Sequence, residues 1–254
     1  VDRSRGLGDV YKRQIKDIAA KITADNIPII DADFHFVTPP FVDSHFHMDA
    51  TLSYGLPRVN KSGTLLEGIK LWGELKPNLT ADAIKERALK FCKWAIARGT
   101  LAIRSHVDVS GQNLVGVEAL LDVKEQMKDF IDIQLVAFPQ DGLFRANCLD
   151  NLKTALDMGV DVVGGIPHFE RTMEEGHESI RVLCEIAEKR GLLTDLHCDE
   201  TDDPMSRHVE ILARETTRLG LKGRVAGSHL TSMHSLDNYY FTKLISLLVE
   251  ADLN

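Results

Sequence analysis

The chain has 254 residues, of which 44% are hydrophobic and 27% charged, and its formal net charge is −8. Such a composition is typical of a soluble globular protein, and the length suits one α/β barrel or two smaller domains. The acidic balance and the lack of a Lys/Arg cluster argue against a nucleic-acid partner, and no apolar run reaches the ~18 residues that a membrane helix needs.

The first forty residues differ from the rest of the chain. Residues 1–14 have neither helical nor strand periodicity and carry two glycines. We interpret them as a non-native leader, with a flexible native tail as the alternative. Residues 15–40 hold strand-like runs at 27–30 and 34–37, which are too short to form a domain alone.

A His-x-His motif follows at the end of an apolar, strand-like run. Residues 41–49 read Phe-Val-Asp-Ser-His-Phe-His-Met-Asp, with the imidazoles at His45 and His47. Because alternate side chains of a strand share one face, both rings can bind the same metal ion. Taken alone, the pair is equally compatible with a solvated loop.

Strand-like and helix-like segments then alternate to the end of the chain. Five more strands are predicted at 100–108, 131–138, 161–166, 192–197 and 224–229. Amphipathic helices are predicted at 80–98, 114–129, 149–158, 175–190, 204–219 and 236–250. The first of these helices has Thr80 as its N-cap and stops at Gly99. The long connection 50–79 is expected to fold over the mouth of the site.

This alternation indicates the fold class. Units of about 30 residues are typical of parallel strands joined by helical crossovers. Ligand-type residues at several strand ends favour a barrel over an open, doubly wound sheet. We therefore predict an α/β protein with an incomplete TIM-type (β/α)8 barrel, of which about six strand–helix units are present.

Two further histidines end predicted strands. His197 closes the fifth strand and His229 the sixth, so in a barrel both would face the same cavity as His45 and His47. Three imidazoles suit one Zn(II) or Fe(II) ion, with an open position for a water whose pKa falls towards ~7. For each histidine singly, a hydrogen-bonded core or rim role is the alternative.

Other polar residues near strand ends are weaker candidates. Glu200 follows His197 closely enough to shuttle protons, although it stands in an acidic loop run. Gln140 offers an amide donor and acceptor, which an amide-like ring edge requires, but it also suits a turn. His106 and His168 end strands too, and we interpret both as structural residues or as supports of the metal-binding residues.

Six motifs, in this order and spacing, resemble the bacterial cytosine deaminases of the amidohydrolase superfamily. The motifs are Phe41–Asp49, Ser105–Ser110, Val136–Gln140, Gly165–Glu170, His197–Glu200 and Ser228-His229. The resemblance runs from about residue 38 to the end of the chain. It implies a barrel flanked by a small β-sandwich built from both chain ends, of which residues 15–40 would be a remnant.

The resemblance also implies a metal centre and a reaction. One iron or zinc ion would be held by His45, His47 and His197, together with an aspartate at the end of an eighth strand. No lysine ends the fourth predicted strand, where a carboxylated lysine would support a second ion, so one divalent ion is expected. The implied reaction is hydrolytic deamination of cytosine to uracil and ammonia, a step of pyrimidine salvage.

Roles for the remaining candidates come from the same resemblance. Glu200 would be the proton shuttle, and His229 would stabilise the attacking water and the intermediate. Gln140 would bind the pyrimidine edge, and Leu65 and Phe138 would contact the substrate.

The chain departs from this family by omission. Strands seven and eight, the expected aspartate and the second half of the sandwich are missing, so residues 41–254 would be a C-terminally truncated hydrolase barrel. We expect such a fragment to be inactive or poorly soluble, and the full-length enzyme to be a homo-oligomer. The alternatives are a deaminase of another amino-substituted ring (isocytosine, isoguanine or a triazine) and a non-catalytic barrel protein.

The cysteines indicate the compartment. The chain has four, at positions 92, 148, 184 and 198, and none forms a CxxC pair. No secretory signal is recognisable at the start of the sequence. We therefore expect a reduced, cytoplasmic protein.

Overall fold

A computed structural model describes residues 19–23 and 28–254 of the chain. The leader predicted at 1–14 lies outside the described residues. The chain divides into two compact units, Val1–Pro39 and Pro40–Asn254. In the described part of the first unit no strand is present, and the apolar side chains of Ile29 and Phe36 are 91% and 92% exposed. Strand-like composition is not sufficient there, because a strand needs a partner for its backbone polar groups.

The second unit contains a six-stranded sheet in chain order, in which all neighbouring strands are parallel. Its strands are β1 (Phe41–Phe46), β2 (Thr100–Asp108), β3 (Asp132–Phe138), β4 (Val162–Gly165), β5 (Leu193–Cys198) and β6 (Val225–His229). The bounds match the predicted strands closely. Most residues of the central strands β3, β4 and β5 are buried, as is typical of parallel strands covered on both faces.

Seven α-helices are present in the described residues. They are α1 (Leu65–Leu75), α2 (Ala81–Ala97), α3 (Val115–Met127), α4 (Cys148–Met158), α5 (Met173–Arg190), α6 (His208–Arg218) and α7 (Asn238–Ala251). Six of them were predicted, and Thr80 caps α2 as expected by accepting a hydrogen bond from the backbone N–H of Ala83. Within the described range, none is both long and apolar enough to cross a bilayer.

The sheet curves almost into a closed barrel. β1 and β6 lie at opposite ends of the strand order, yet the rings of His45 and His229 at their carboxyl ends are only 4.7 Å apart. Helices cover the outer face, and the core between them and the sheet includes the fully buried Val107, Leu135 and Leu183. The predicted incomplete TIM-type barrel is therefore confirmed.

Helix α1 lies within the long connection 50–79 and was not predicted. It begins after the N-cap Thr64 and is tied to the barrel by polar contacts at its far end. The indole Nε1 of Trp72 donates to Asp108 at 2.6 Å, and Lys76 Nζ donates to Asp141 at 2.6 Å. These bonds fix the connection to the last residue of β2 and to the loop that follows β3.

Strand β4 is packed closely enough that it needs glycine. A Cβ added at Gly164 would overlap the carbonyl oxygen of Ala137 and lie 2.8 Å from Val136 Cγ1. We expect Gly164→Ala to destabilise the chain by about 1–3 kcal/mol, because the neighbouring strand cannot move away. The helical Gly73 has no atom within 4 Å of such a Cβ, so Gly73→Ala should stabilise by about 0.5–1 kcal/mol.

Urea unfolding of both variants beside the parent chain measures this pair. Equal unfolding free energies for the two variants would contradict the packing argument.

Candidate active site

Four imidazoles from three strands converge at the carboxyl ends of the barrel. One ring nitrogen from each of His45, His47, His106 and His197 lies within 4.8 Å of the other three. The closest approach is 3.1 Å, between Nε2 of His47 and Nε2 of His197. Ring nitrogens that point at a common volume have the arrangement of a metal-binding cluster.

Three imidazoles of the cluster, those of His45, His47 and His197, are held in the neutral form. Burial, followed by the charge of His106, lowers the pKa of His45 to about 4 and that of His47 to about 3. The same two causes lower the pKa of His197. In the described structure, the buried Nδ1 atoms of His45 and His197 have no hydrogen-bond partner. Neutral rings with free lone pairs fit a divalent cation such as Zn(II) or Fe(II).

His106 joins this cluster, although the sequence suggested only a supporting role for it. Its side chain is fully buried and its Nε2 lies 3.7 Å from Asp195 Oδ1. Burial tends to raise the pKa of Asp195, but His106 and the bonds from Ser228 (2.7 Å) and Arg104 (2.9 Å) lower it to about 2. An ionised carboxylate behind an imidazole orients that ring, as it does behind metal-bound histidines.

Strand register brings His106 into the cluster. Phe46 pairs with Ser105 between β1 and β2, which sets His47 beside His106, and their ring centroids are 5.2 Å apart. The only signal in the sequence is that His106 approaches the end of a predicted strand. Register is not readable from one strand, so this contact required the structure.

Glu200 and His229 face each other beside the imidazole cluster. Glu200 Oε1 lies 3.7 Å from His229 Nδ1. Burial raises the pKa of Glu200, and the charge of His229 opposes that rise. His229 has a left-handed backbone conformation, with φ of +75°, as does Asp199 next to Glu200, with φ of +53°. Such strained positions concentrate at functional sites.

One cavity of about 470 Å³ collects most of the predicted site residues. Its lining includes all three predicted metal-binding residues and four of the other five candidates: His45, His47, His197, Leu65, Gln140, Glu200 and His229. Leu66 and Ile69 of α1 also line it, so the connection 50–79 does cover the mouth. His168 lines it too, which the sequence did not indicate beyond its place at a strand end.

Phe138 is the one predicted site residue that the structure does not bring to the cavity wall. It is 1% exposed, and its ring stacks on His197 with centroids 4.2 Å apart and an interplanar angle of 25°. The aromatic face supports an imidazole of the cluster from behind.

The chain is similar to several known enzymes. One is 5-methylcytosine deaminase from Klebsiella pneumoniae, whose crystal structure with bound 5-fluorocytosine has 43% sequence identity to this chain and a TM-score of 0.88. The match covers 93% of this chain and 57% of that one. The crystal structure of the same enzyme with phosphonocytosine has 45% sequence identity and a TM-score of 0.83, and the match covers 85% of this chain and 53% of that one. N-isopropylammelide isopropyl amidohydrolase of Pseudomonas sp. (strain ADP) is 36% identical over 234 residues, which are 88% of this chain and 56% of that protein.

A third relative is the pterin deaminase of Rhizobium rhizogenes, which is 28% identical over 94% of this chain and 55% of that protein. The chain thus spans little more than half the length of each of these relatives. The sequence model of the amidohydrolase family matches residues 28–254. The resemblance to the amidohydrolases that the sequence motifs indicated is therefore confirmed. The chain belongs to the amidohydrolase family.

Proposed function

We propose that the protein carrying this chain removes the amino group of cytosine by hydrolysis, giving uracil and ammonia. The observation that carries the proposal is the shared cavity, which Glu200, His229 and Gln140 line together with three imidazoles of the cluster, those of His45, His47 and His197. The similarity to 5-methylcytosine deaminase at 43–45% identity supports a cytosine-type ring as substrate.

We propose one divalent ion, Fe(II) or Zn(II), as the cofactor, with His45, His47 and His197 as the residues that hold it. His106 is within reach as a fourth imidazole. Such an ion, when bound, lowers the pKa of its water towards ~7 and so supplies a nucleophile at neutral pH. No lysine occurs in β4 or directly after it, which supports a single ion.

Glu200 is proposed to move the protons. Burial raises its pKa, so the carboxyl group can take a proton from the attacking water and pass it to the ring nitrogen, where it stays. Glu200 then carries the proton of the added hydroxyl group to the amine, which leaves as ammonia while the ring carbon becomes a carbonyl. His229, which lies beside Glu200 in the cavity lining, is proposed to hydrogen-bond the oxygen that is added to the ring carbon. The two groups act together because only 3.7 Å separates them.

The remaining lining is proposed to select and hold the ring. The side-chain amide of Gln140 has both a donor and an acceptor, which matches the alternating edge of a pyrimidine. Leu65, Leu66 and Ile69 provide apolar surface that excludes water from the bound ring. Phe138 is proposed to act indirectly, because its ring stacks on the imidazole of His197 and holds that imidazole in place.

Substrate profiling of the full-length protein tests the proposal. Ammonia release is measured with cytosine, 5-methylcytosine, isocytosine, isoguanine, pterin and a triazine, beside the metal content of the sample. We expect the highest kcat/KM with cytosine or 5-methylcytosine, and loss of activity on chelation. A higher kcat/KM with a non-pyrimidine ring would contradict the proposal that cytosine is the substrate. A protein that is metal-free and inactive would favour the alternative of a non-catalytic barrel.

We further propose a cytoplasmic homo-oligomer. The four cysteines are free and buried, which suits a reducing compartment. The oligomeric state is proposed from the likeness to the deaminases, and light scattering of the full-length protein measures it.

A further inference from the structure

Asp199 is a fully buried carboxylate that lies next to the proposed catalytic residues without lining their cavity. Five hydrogen bonds end on its side chain, and one of them comes from the neighbouring Cys198 Sγ to Oδ2 (3.6 Å). Oδ1 accepts from Ser206 Oγ (2.7 Å), from the backbone N–H of His208 (3.0 Å) and from His208 Nδ1 (2.8 Å). Oδ2 accepts from the backbone N–H of Val209 (2.9 Å).

These bonds fix the loop that carries Glu200 at both of its ends. His208 and Val209 are the first residues of α6, and N–H groups in a first helical turn have no partner within the helix. A carboxylate at that position satisfies them and is favoured by the helix dipole. Asp199 therefore caps α6 across the loop 200–207, and Glu200 is the first residue of that loop.

The backbone of Asp199 also holds the segment that carries His229. Its carbonyl oxygen accepts from the backbone N–H of Ser232 (3.1 Å) and from Thr231 Oγ1 (3.2 Å). Both residues follow His229 within one turn. Since the left-handed conformations at Asp199 and His229 persist only where surrounding bonds hold them, this one residue constrains both the segment that carries Glu200 and the segment that carries His229.

We propose that Asp199 is a positioning residue that keeps the carboxylate of Glu200 and the imidazole of His229 at their 3.7 Å separation in the cavity lining. It touches neither substrate nor the reacting atoms, and it acts through the loops 200–207 and 229–232. The proposal rests on the proposed function for its kinetic consequence, but its structural consequence can be measured without any activity.

The kinetic test compares Asp199→Asn with Asp237→Asn in the full-length protein. Asp237 is a matched control, because it caps α7 by accepting from the backbone N–H of Tyr240 (3.0 Å) and has no bond to either loop. Asp199→Asn keeps the shape, but its amide cannot accept from all of the donors. We expect kcat to fall about 10²-fold, as for a 1 Å misplacement, with KM changed less than about threefold. Asp237→Asn should keep the parent kcat.

The structural test is hydrogen exchange of the same variants. In Asp199→Asn, the amides of 200–207 and 229–232 should exchange faster, while the other helices and the bound metal per chain stay unchanged. Ser206→Ala, which removes a single bond to Oδ1, should give an intermediate effect, and it serves as the second variant if Asp199→Asn does not fold.

An unchanged kcat, an exchange increase spread evenly over the chain, or loss of metal from Asp199→Asn would each overturn the positioning role. If the parent protein deaminates no ring, the proposed function fails. The exchange pattern still decides the role of Asp199 in that case.

Discussion

Replacing Glu200 with Gln is expected to lower kcat by about 10²–10⁴-fold, the range that a positioned general acid or base contributes. Gln has the size of Glu but cannot take up or release a proton at neutral pH. The substitution leaves the imidazoles of His45, His47 and His197 untouched, so the metal content should remain that of the parent protein. Steady-state deamination rates and elemental analysis of the same sample measure both quantities.

Glu178→Gln is the matched control for this substitution. Glu178 is exposed on α5, and among the described residues it pairs only with Arg181, at 2.7 Å, so the same chemical change there should leave kcat unaltered. A Glu200→Gln enzyme that turns over at the parent rate would remove Glu200 from the proton transfers.

The second large effect is expected from His197→Ala, which should lower the affinity for Zn(II) by more than ~100-fold. Loss of a residue that only hydrogen-bonds a metal-binding side chain already costs ~10–100-fold in affinity, and loss of the metal-binding side chain itself should cost more. His197 is central to the cluster, because its ring lies 4.7 Å from that of His45 and 5.1 Å from that of His47. Two imidazoles on β1 alone leave the coordination of a tetrahedral ion incomplete. Calorimetric titration of metal-free protein with Zn(II) measures the change.

His35→Ala provides the control, since His35 is exposed and bonds only to the carbonyl oxygen of Ala32 in the described residues. Because His197 also packs on Phe138, thermal unfolding of the metal-free variant must accompany the titration. His197→Gln, which preserves more of the packing, should show the same loss of affinity. Parent-like Zn(II) binding by both variants would exclude His197 as a ligand.

The strands and most helices could be predicted because their signals are local. Each parallel strand is a short apolar run, and α2 has both a capping threonine and a terminal glycine, Gly99, with φ of +87°. Helix α1 escaped prediction because it contains two glycines and lies in a segment rich in turn residues. The run at 34–37 has strand-like composition but forms no strand in the described chain, because its residues have no neighbouring strand to pair with.

The residues of the site could be predicted where they lie at the ends of predicted strands. His45, His47, His197 and His229 were assigned from their places after apolar runs, and barrel geometry then brings such residues to one rim. Contacts that depend on register or on a loop path were not accessible. His106 enters through the pairing of β1 with β2, and Asp199 is linked to α6 by a loop whose path no local pattern encodes.

The cavity takes its two kinds of wall from separate parts of the chain. Imidazole and carboxyl groups come from strand ends inside the barrel, whereas Leu65, Leu66 and Ile69 come from one helix laid across the rim. Under the proposed function, substitutions in that helix can therefore change which ring the cavity accepts, while the imidazole and carboxyl groups at the strand ends stay unchanged.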